Sequence, residues 1–484
     1  MRLEPRNDIK DEEKRANYTR IIQEGVFTEV MTTLTGTVFL TALLLQLNAA
    51  YSVIGIIAAL PSICNIFQLL SIWLVRQTNN RRKISVICSI LARIPLVCIG
   101  IVVLTSDMPP ISPILGFLFL YYLFGSIAGP AWNAWMKDFI PPNRLGSFFS
   151  RRTLYMQIVS VLLSLSVAGL LNLVKKADPT WEVAVYGWMF IIAGVVGLLG
   201  TILLARVPEP LGSLHEGNLI RVLRAPLRDL NFKRLLLFQS TWTLAFNMAN
   251  PFFSVFMLRT MNLPISTVVV FSLMIQLSGI MFIKTWGRMA DTYSNKTILA
   301  ILMPVYILSL LLWCFVDQRN NHIFNMAMLG FIHLLIGMAQ SGINQCINNI
   351  TLKLSPSQYS VVYLSMKNII TAVFGSFAPI IGGVLADLFT DRKLEVLARY
   401  ERTVNEKIFY ILTIHEWTFL FVIAAIIVFI AAQILTVVNE HGETDKDSVV
   451  DFMRSNIIAN VKNYFVLGSL ISLFRFWDQG DKKE

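Results

Sequence analysis

Several side chains in this sequence sit where only a function or a partner would hold them. Glu24 and Glu29 lie with six threonines in the apolar stretch IIQEGVFTEVMTTLTGTVFLTALLLQ (21–46). Arg93 lies in SILARIPLV, and His333 is the only histidine well inside an apolar run. About 20 apolar residues cross a bilayer, and an ionisable group inside such a stretch is costly unless it faces protein or water. Partial burial raises a carboxylate's pKa toward the range in which it can take up and release a proton, and imidazole titrates near neutrality. Glu29, Glu24 and His333 are therefore candidates for coupling proton movement to other work. Each also has a structural reading. Glu29 and Arg93 fall at similar depth and can form a permanent ion pair. Glu24 is nearer the interface and suits a gate or interface pair. A lone histidine in a helix serves well as hydrogen-bonded structure.

Neutral polar residues recur at helical spacing. His333, Gly337, Gln340, Asn344 and Asn348 fall on one helix face, and Gln239, Thr243, Asn247 and Asn250 form a second polar set. Trp132, Asn133 and Trp135 cluster in a third stretch, and Thr33 belongs to the first. Such faces line a polar cavity or hydrogen-bond helices to one another. Shorter stripes at Ser62, Asn65 and Gln68, and at Asn368, Thr371 and Gly375, read first as close packing. Lys367 either snorkels to the interface or meets an anionic solute.

These residues need elements to hold them, and composition says which. The 484 residues are 55% hydrophobic and only 15% charged, with a mean hydropathy of +0.61. Soluble domains carry about one quarter charged residues, so this is a polytopic membrane protein. Twelve spans are expected at 21–46, 53–75, 84–104, 113–136, 153–174, 185–204, 235–258, 265–283, 297–316, 323–349, 361–385 and 417–438. The polar N-terminal segment does not read as a cleavable signal peptide, so the first span is its own insertion signal. The five cysteines show no metal spacing and read as buried thiols. The net charge of +11 comes from loops such as 76–83, 137–152 and 206–234. That is the positive-inside pattern, which places both termini in the cytoplasm and argues against a nucleic-acid partner. Segment 388–416 is expected to be a surface helix or lid. The tail 439–484 is expected to form an amphipathic helix on the inner leaflet.

The halves share a register. Asn48, Ser52, Arg82 and Pro142 recur 214 positions later as Asn262, Ser266, Lys296 and Pro356. Between spans eight and nine, Gly287-Arg-Met-Ala-Asp291-Thr-Tyr-Ser-Asn-Lys296 is similar to the loop motif G-x-x-x-D-R-x-G-R-K of the major facilitator superfamily, with Thr292 and Ser294 at the usual Arg and Gly places. The first-half copy, Trp73 to Lys83, has Gln77 at the Asp position. Pro142-Asn-Arg144-Leu-Gly146 and Gly375-Ser-Phe-Ala-Pro379-Ile-Ile-Gly382-Gly383 resemble further family motifs.

The resemblance implies an all-α fold of twelve transmembrane helices in two pseudo-symmetric six-helix bundles, 1–205 and 235–438, joined by a cytoplasmic linker at 206–234. It implies a central cavity lined by spans one, four, seven and ten, with Thr33, Trp132, Asn133, Thr243, Asn247, Gln340 and Asn344 as candidate substrate contacts. Gly287, Asp291 and Lys296 would belong to a cytoplasmic gate. The expected function is secondary active transport of a small organic solute by rocking of the bundles, coupled to protons as symport or antiport. A monomer in a bacterial inner membrane is expected, with no cofactor and no metal. An uncoupled facilitator of the same fold is the alternative. From other classes come a non-transporting receptor or a membrane-bound enzyme. The sequence holds no G-x-x-x-x-G-K-[ST] loop to drive a pump with ATP and no convergent nucleophile and base.

Overall fold

The computed structural model describes residues 4–5, 11–106, 108–141, 145–210, 225–355, 360–390, 392–402, 405–415 and 417–440. The apolar stretches are helical, as a bilayer demands of any segment whose backbone amides cannot reach water. Eleven helices are long and apolar enough to cross a membrane. Span seven, Leu230–Val255, is not among them. It has 26 residues but is interrupted by Gln239, Ser240, Thr241, Thr243, Asn247 and Asn250.

The first half holds span one (Asp11–Leu34 and Thr37–Gln46), span two (Tyr51–Asn65 and Gln68–Thr78), span three (Arg81–Thr105), span four (Ile111–Phe139), span five (Leu145–Ala177) and span six (Glu182–Leu204). The second adds to span seven span eight (Ile265–Thr292), span nine (Asn295–Leu312), span ten (His322–Leu354), span eleven (Ser360–Phe389) and span twelve (Trp417–Thr436). In the first half, span three packs on spans four and six, and span one on five and six. In the second, span nine packs on ten and twelve, and span seven on twelve.

Span one is broken at mid-length. Gly36 is extended (φ −62°, ψ 156°), and Thr35 Oγ1 donates to the Met31 carbonyl at 2.9 Å beside the break. The shared Asn48 and Asn262 are explained by backbone geometry. Both have left-handed φ, 53° and 49°, a region that Asn tolerates better than most side chains.

Segment 388–416 is not a helix. Its centre is a β-hairpin, β1 (Lys393–Arg402) and β2 (Asn405–His415), paired antiparallel from Lys393 opposite His415 to Arg402 opposite Asn405, with a bulge at Val396/Leu397. Ile408, Phe409, Tyr410, Ile411, Thr413 and Ile414 are β-branched or aromatic residues that favour a strand. The hairpin marks one end of the molecule, here the hairpin end. The other, carrying Arg81, Arg82 and Lys296, is the basic end. Pro142, Arg144 and Pro356, and the tail beyond Glu440, lie outside the described residues.

The two halves meet at the hairpin end. Asp387, closing span eleven, accepts hydrogen bonds from the Tyr51 and Ser52 amides of span two at 3.1 and 2.9 Å. Asn172 of span five bonds Ser266 of span eight. The deepest meeting is at Gly375, where a Cβ would lie 3.1 Å from both Asn247 and Ser62.

Candidate functional site

The break in span one places Glu29 two turns away, in a half-buried position on the same helix as the exposed Thr32. Glu29 has no ion pair and no side-chain hydrogen bond among the described residues. The structure does not bring Arg93 to it. Arg93 is buried against span six, where Nε donates to the Gly197 carbonyl at 3.2 Å and Nη1 to the Ser89 carbonyl at 2.8 Å. Gly197 makes this possible, since a Cβ there would fall 2.9 Å from Arg93 Cγ.

Glu24 has a different partner from any the sequence suggested. Arg152 Nη2 donates to Glu24 Oε2 at 3.1 Å, and Thr28 Oγ1 donates to the other oxygen at 2.9 Å. The guanidinium lies over the Trp132 ring at 4.8 Å. Span five begins at Leu145, so Arg152 is two turns inside a helix rather than in a loop. Gly25 is the local signal: a Cβ there would meet Arg152 Nε at 2.5 Å. Thr33 ties the same two spans, 3.1 Å from Ser160 Oγ.

The polar stripe of span ten divides along its length. His333 is buried, with Nδ1 2.7 Å from the Leu329 carbonyl, and stacks on Phe271. Gly337 lets the Ile275 carbonyl of span eight approach. One to three turns further on, Gln340 is half-buried and Asn344 and Asn348 are exposed. Lys367 Nζ donates to Asn348 Oδ1 at 2.8 Å. One helix face is thus packed toward the hairpin end and open toward the basic end. Thr243 and Asn247 of span seven converge with Ser62 of span two on Gly375, and Asn133 is exposed on span four. Among the tryptophans of spans four and seven, Trp132 is half-buried. Trp242 is buried against Phe246 and Tyr306, and Trp135 is buried with Nε1 bonded to the Pro208 carbonyl at 3.1 Å.

At the basic end, Asp291 is exposed and makes no ion pair among the described residues. With Gly287, Lys284, Arg288 and Gln345 it lines a shallow cleft. Gly287 faces Gln345, whose Nε2 would lie 2.8 Å from a Cβ there. Lys296 is tied elsewhere. Its amide donates to Glu440 Oε2 at 2.7 Å and its Nζ to the Thr436 carbonyl at 3.2 Å. Asn295 and Lys353 complete the Glu440 cluster at 2.8 and 3.0 Å. Its counterpart is Glu209, which accepts the Arg81 and Arg82 amides at 3.1 and 2.9 Å and Arg81 Nε at 2.8 Å. Neither glutamate was picked out by sequence. The signal was there, since each follows its bundle's last span by four or five residues, but the inserted hairpin shifts their offset to 231 and hides the match.

A broken first span, two helical bundles meeting at one end, and a polar wall opening toward the other together define a membrane transporter. The chain belongs to the major facilitator superfamily, whose sequence profile matches residues 25–379 and 285–477. That family consists of transporters, not enzymes. A point mutant of the nucleoside transporter NupG is similar in structure, with a TM-score of 0.66 at 13% identity over 88% of this chain and 100% of that one. A D-xylose–proton symporter superposes with a TM-score of 0.63 at 14% identity over 89% and 99%. A bacterial homologue of the human lysosomal transporter Spinster, inward-facing and unoccupied, gives 0.63 at 14% over 89% and 98%. No curated protein sequence matches the chain.

Proposed function

We propose that this multi-pass membrane protein is a secondary active transporter that moves a small organic solute by alternating access and couples it to protons at Glu29. The observation that carries this reading is the contrast among the three candidate groups. Glu24 is held by Arg152 and Thr28, and His333 is enclosed in the second bundle. Glu29 alone of the three is half-exposed and without a partner among the described residues, so it is the one candidate carboxylate left open to exchange with the cavity. The proton symporter among the structural neighbours supports the choice of ion. The wall formed by Asn133, Thr243, Asn247, Gln340 and Asn344 offers neutral donors and acceptors, which suit an uncharged polar solute. The positive-inside rule assigns the basic end, and both termini, to the cytoplasm.

A screen of solutes for thermal stabilisation of the purified protein identifies the cargo, since a ligand of the folded state raises its apparent stability. In proteoliposomes, Glu29→Gln is then expected to abolish accumulation driven by a pH gradient while sparing solute exchange. Accumulation that survives the substitution assigns coupling elsewhere. Loss of any gradient dependence in the parent protein makes it a facilitator.

A further inference from the structure

The repeat relates the two seams at the hairpin end, and the seams are built unequally. At the seam of spans two and eleven, Asp387 accepts the first two amides of span two. These amides have no partner within their own helix, and the positive end of the helix dipole favours a carboxylate there. Tyr51 at that helix start also meets Trp417 of span twelve (ring centroids 4.1 Å apart) and lies under Arg259, 5.0 Å away, beyond span seven. The backbones touch: a Cβ on Gly383 would lie 2.6 Å from the Tyr51 carbonyl. The residue equivalent to Gly383 is Gly169 of span five, where nothing lies within 4 Å. At the seam of spans five and eight the equivalent of the Asp387 clasp is the neutral contact of Asn172 with Ser266.

We propose that Asp387 is a positioning residue of the transport cycle. It caps span two across the bundle interface and latches the hairpin end shut, while the seam of spans five and eight parts first. This rests on the alternating-access reading above. The test uses a cysteine-free background carrying Ser62→Cys, whose side chain lies at the meeting of spans two, seven and eleven. Labelling by a membrane-impermeant maleimide is timed from each side of oriented vesicles. Asp387→Ala is expected to raise labelling from the hairpin side roughly tenfold and to lower it from the basic side. Asn172→Ala is expected to change it less than about threefold, and Asp387→Glu is expected to retain the parent's rates. Labelling that rises from both sides in Asp387→Ala marks a damaged fold and overturns the latch. So does an unchanged rate, or an equal effect of Asn172→Ala. If the parent and all variants label from the basic side alone, alternating access itself fails, an outcome separate from these.

Discussion

Glu209 follows span six, Glu440 follows span twelve, and each caps the third helix of its own half. Arg82 and Lys296 occupy equivalent positions and each donates its side chain back to a carbonyl near the end of the last span, Ala205 and Thr436. The charges around them differ. In the first half, Arg81 joins Glu209 to Asp138 at the end of span four, and its Nη2 holds the Pro210 carbonyl at 3.2 Å. In the second half the place of Arg81 is taken by Asn295, and the cation comes instead from Lys353 at the end of span ten. The first clamp is a buried pair of Arg81 with Glu209, extended to Asp138. The second is more open, and Lys353 is half-exposed. The same geometry thus yields one buried and one partly solvated attachment of the basic end.

The largest expected effect is at the first clamp. Removing Glu209 leaves the Arg81 and Arg82 amides unbonded and the buried Arg81 with Asp138 alone, at a cost approaching the roughly 3–5 kcal/mol of a broken buried pair. Glu209→Ala should destabilise the purified protein by that order in denaturant unfolding in micelles. Glu440→Ala removes a carboxylate that holds one amide N–H, one side-chain amide and one partly solvated cation. Its cost should be about 1–3 kcal/mol. Equal losses for the two variants would break the comparison.

The Glu440 contribution also has a pH signature. Burial opposes its ionisation, but hydrogen bonds from Asn295, the Lys296 amide and Lys353, with the Lys353 charge, outweigh burial and hold the carboxyl below its usual value of 4.5. A depressed folded-state pKa gives stability that is present in full above the unfolded value and is lost as pH falls through the folded one. The gap between the parent and Glu440→Gln should therefore be flat from neutrality to about pH 4.5 and should narrow only below it. A gap that instead widens as pH falls from neutrality toward about 5 would mean the carboxyl is raised rather than depressed. The smallest effect is expected from Lys353→Met, about 1 kcal/mol, because Lys353 is half-exposed and Glu440 keeps the Asn295 and Lys296 donors.

Much of this architecture was legible without coordinates. Hydropathy located the spans, the recurrence of Asn48 at Asn262 located the repeat, and the basic loops gathered at one end. Span seven was expected at 235–258 with the rest, although its polar residues leave it less apolar than the other eleven. The hairpin was missed because a charged, interrupted segment carries no clear period, whereas its second strand is written in β-branched and aromatic residues. For the candidate site, sequence found Glu24 but not Arg152. A boundary error of about two turns turned a buried helix residue into a loop charge. It found the face of span ten but not its division, since one helical stripe is buried or exposed according to what stands opposite.

What the sequence determined alone was the set of apolar helices, from hydropathy along the chain, and the doubling of the fold, from the recurrence at an offset of 214. Which carboxylate is paired was decided only by the tertiary structure. Glu24 and Glu29 are five residues apart on one helix, and Gly25 beside Glu24 leaves room for an incoming side chain without saying which one arrives. Arg152, brought in 128 residues along the chain, takes Glu24. Arg93 is held by carbonyls of spans three and six instead. Electrostatic energy depends on distances in space of a few ångströms, and those are fixed by helix packing, not by the order of residues.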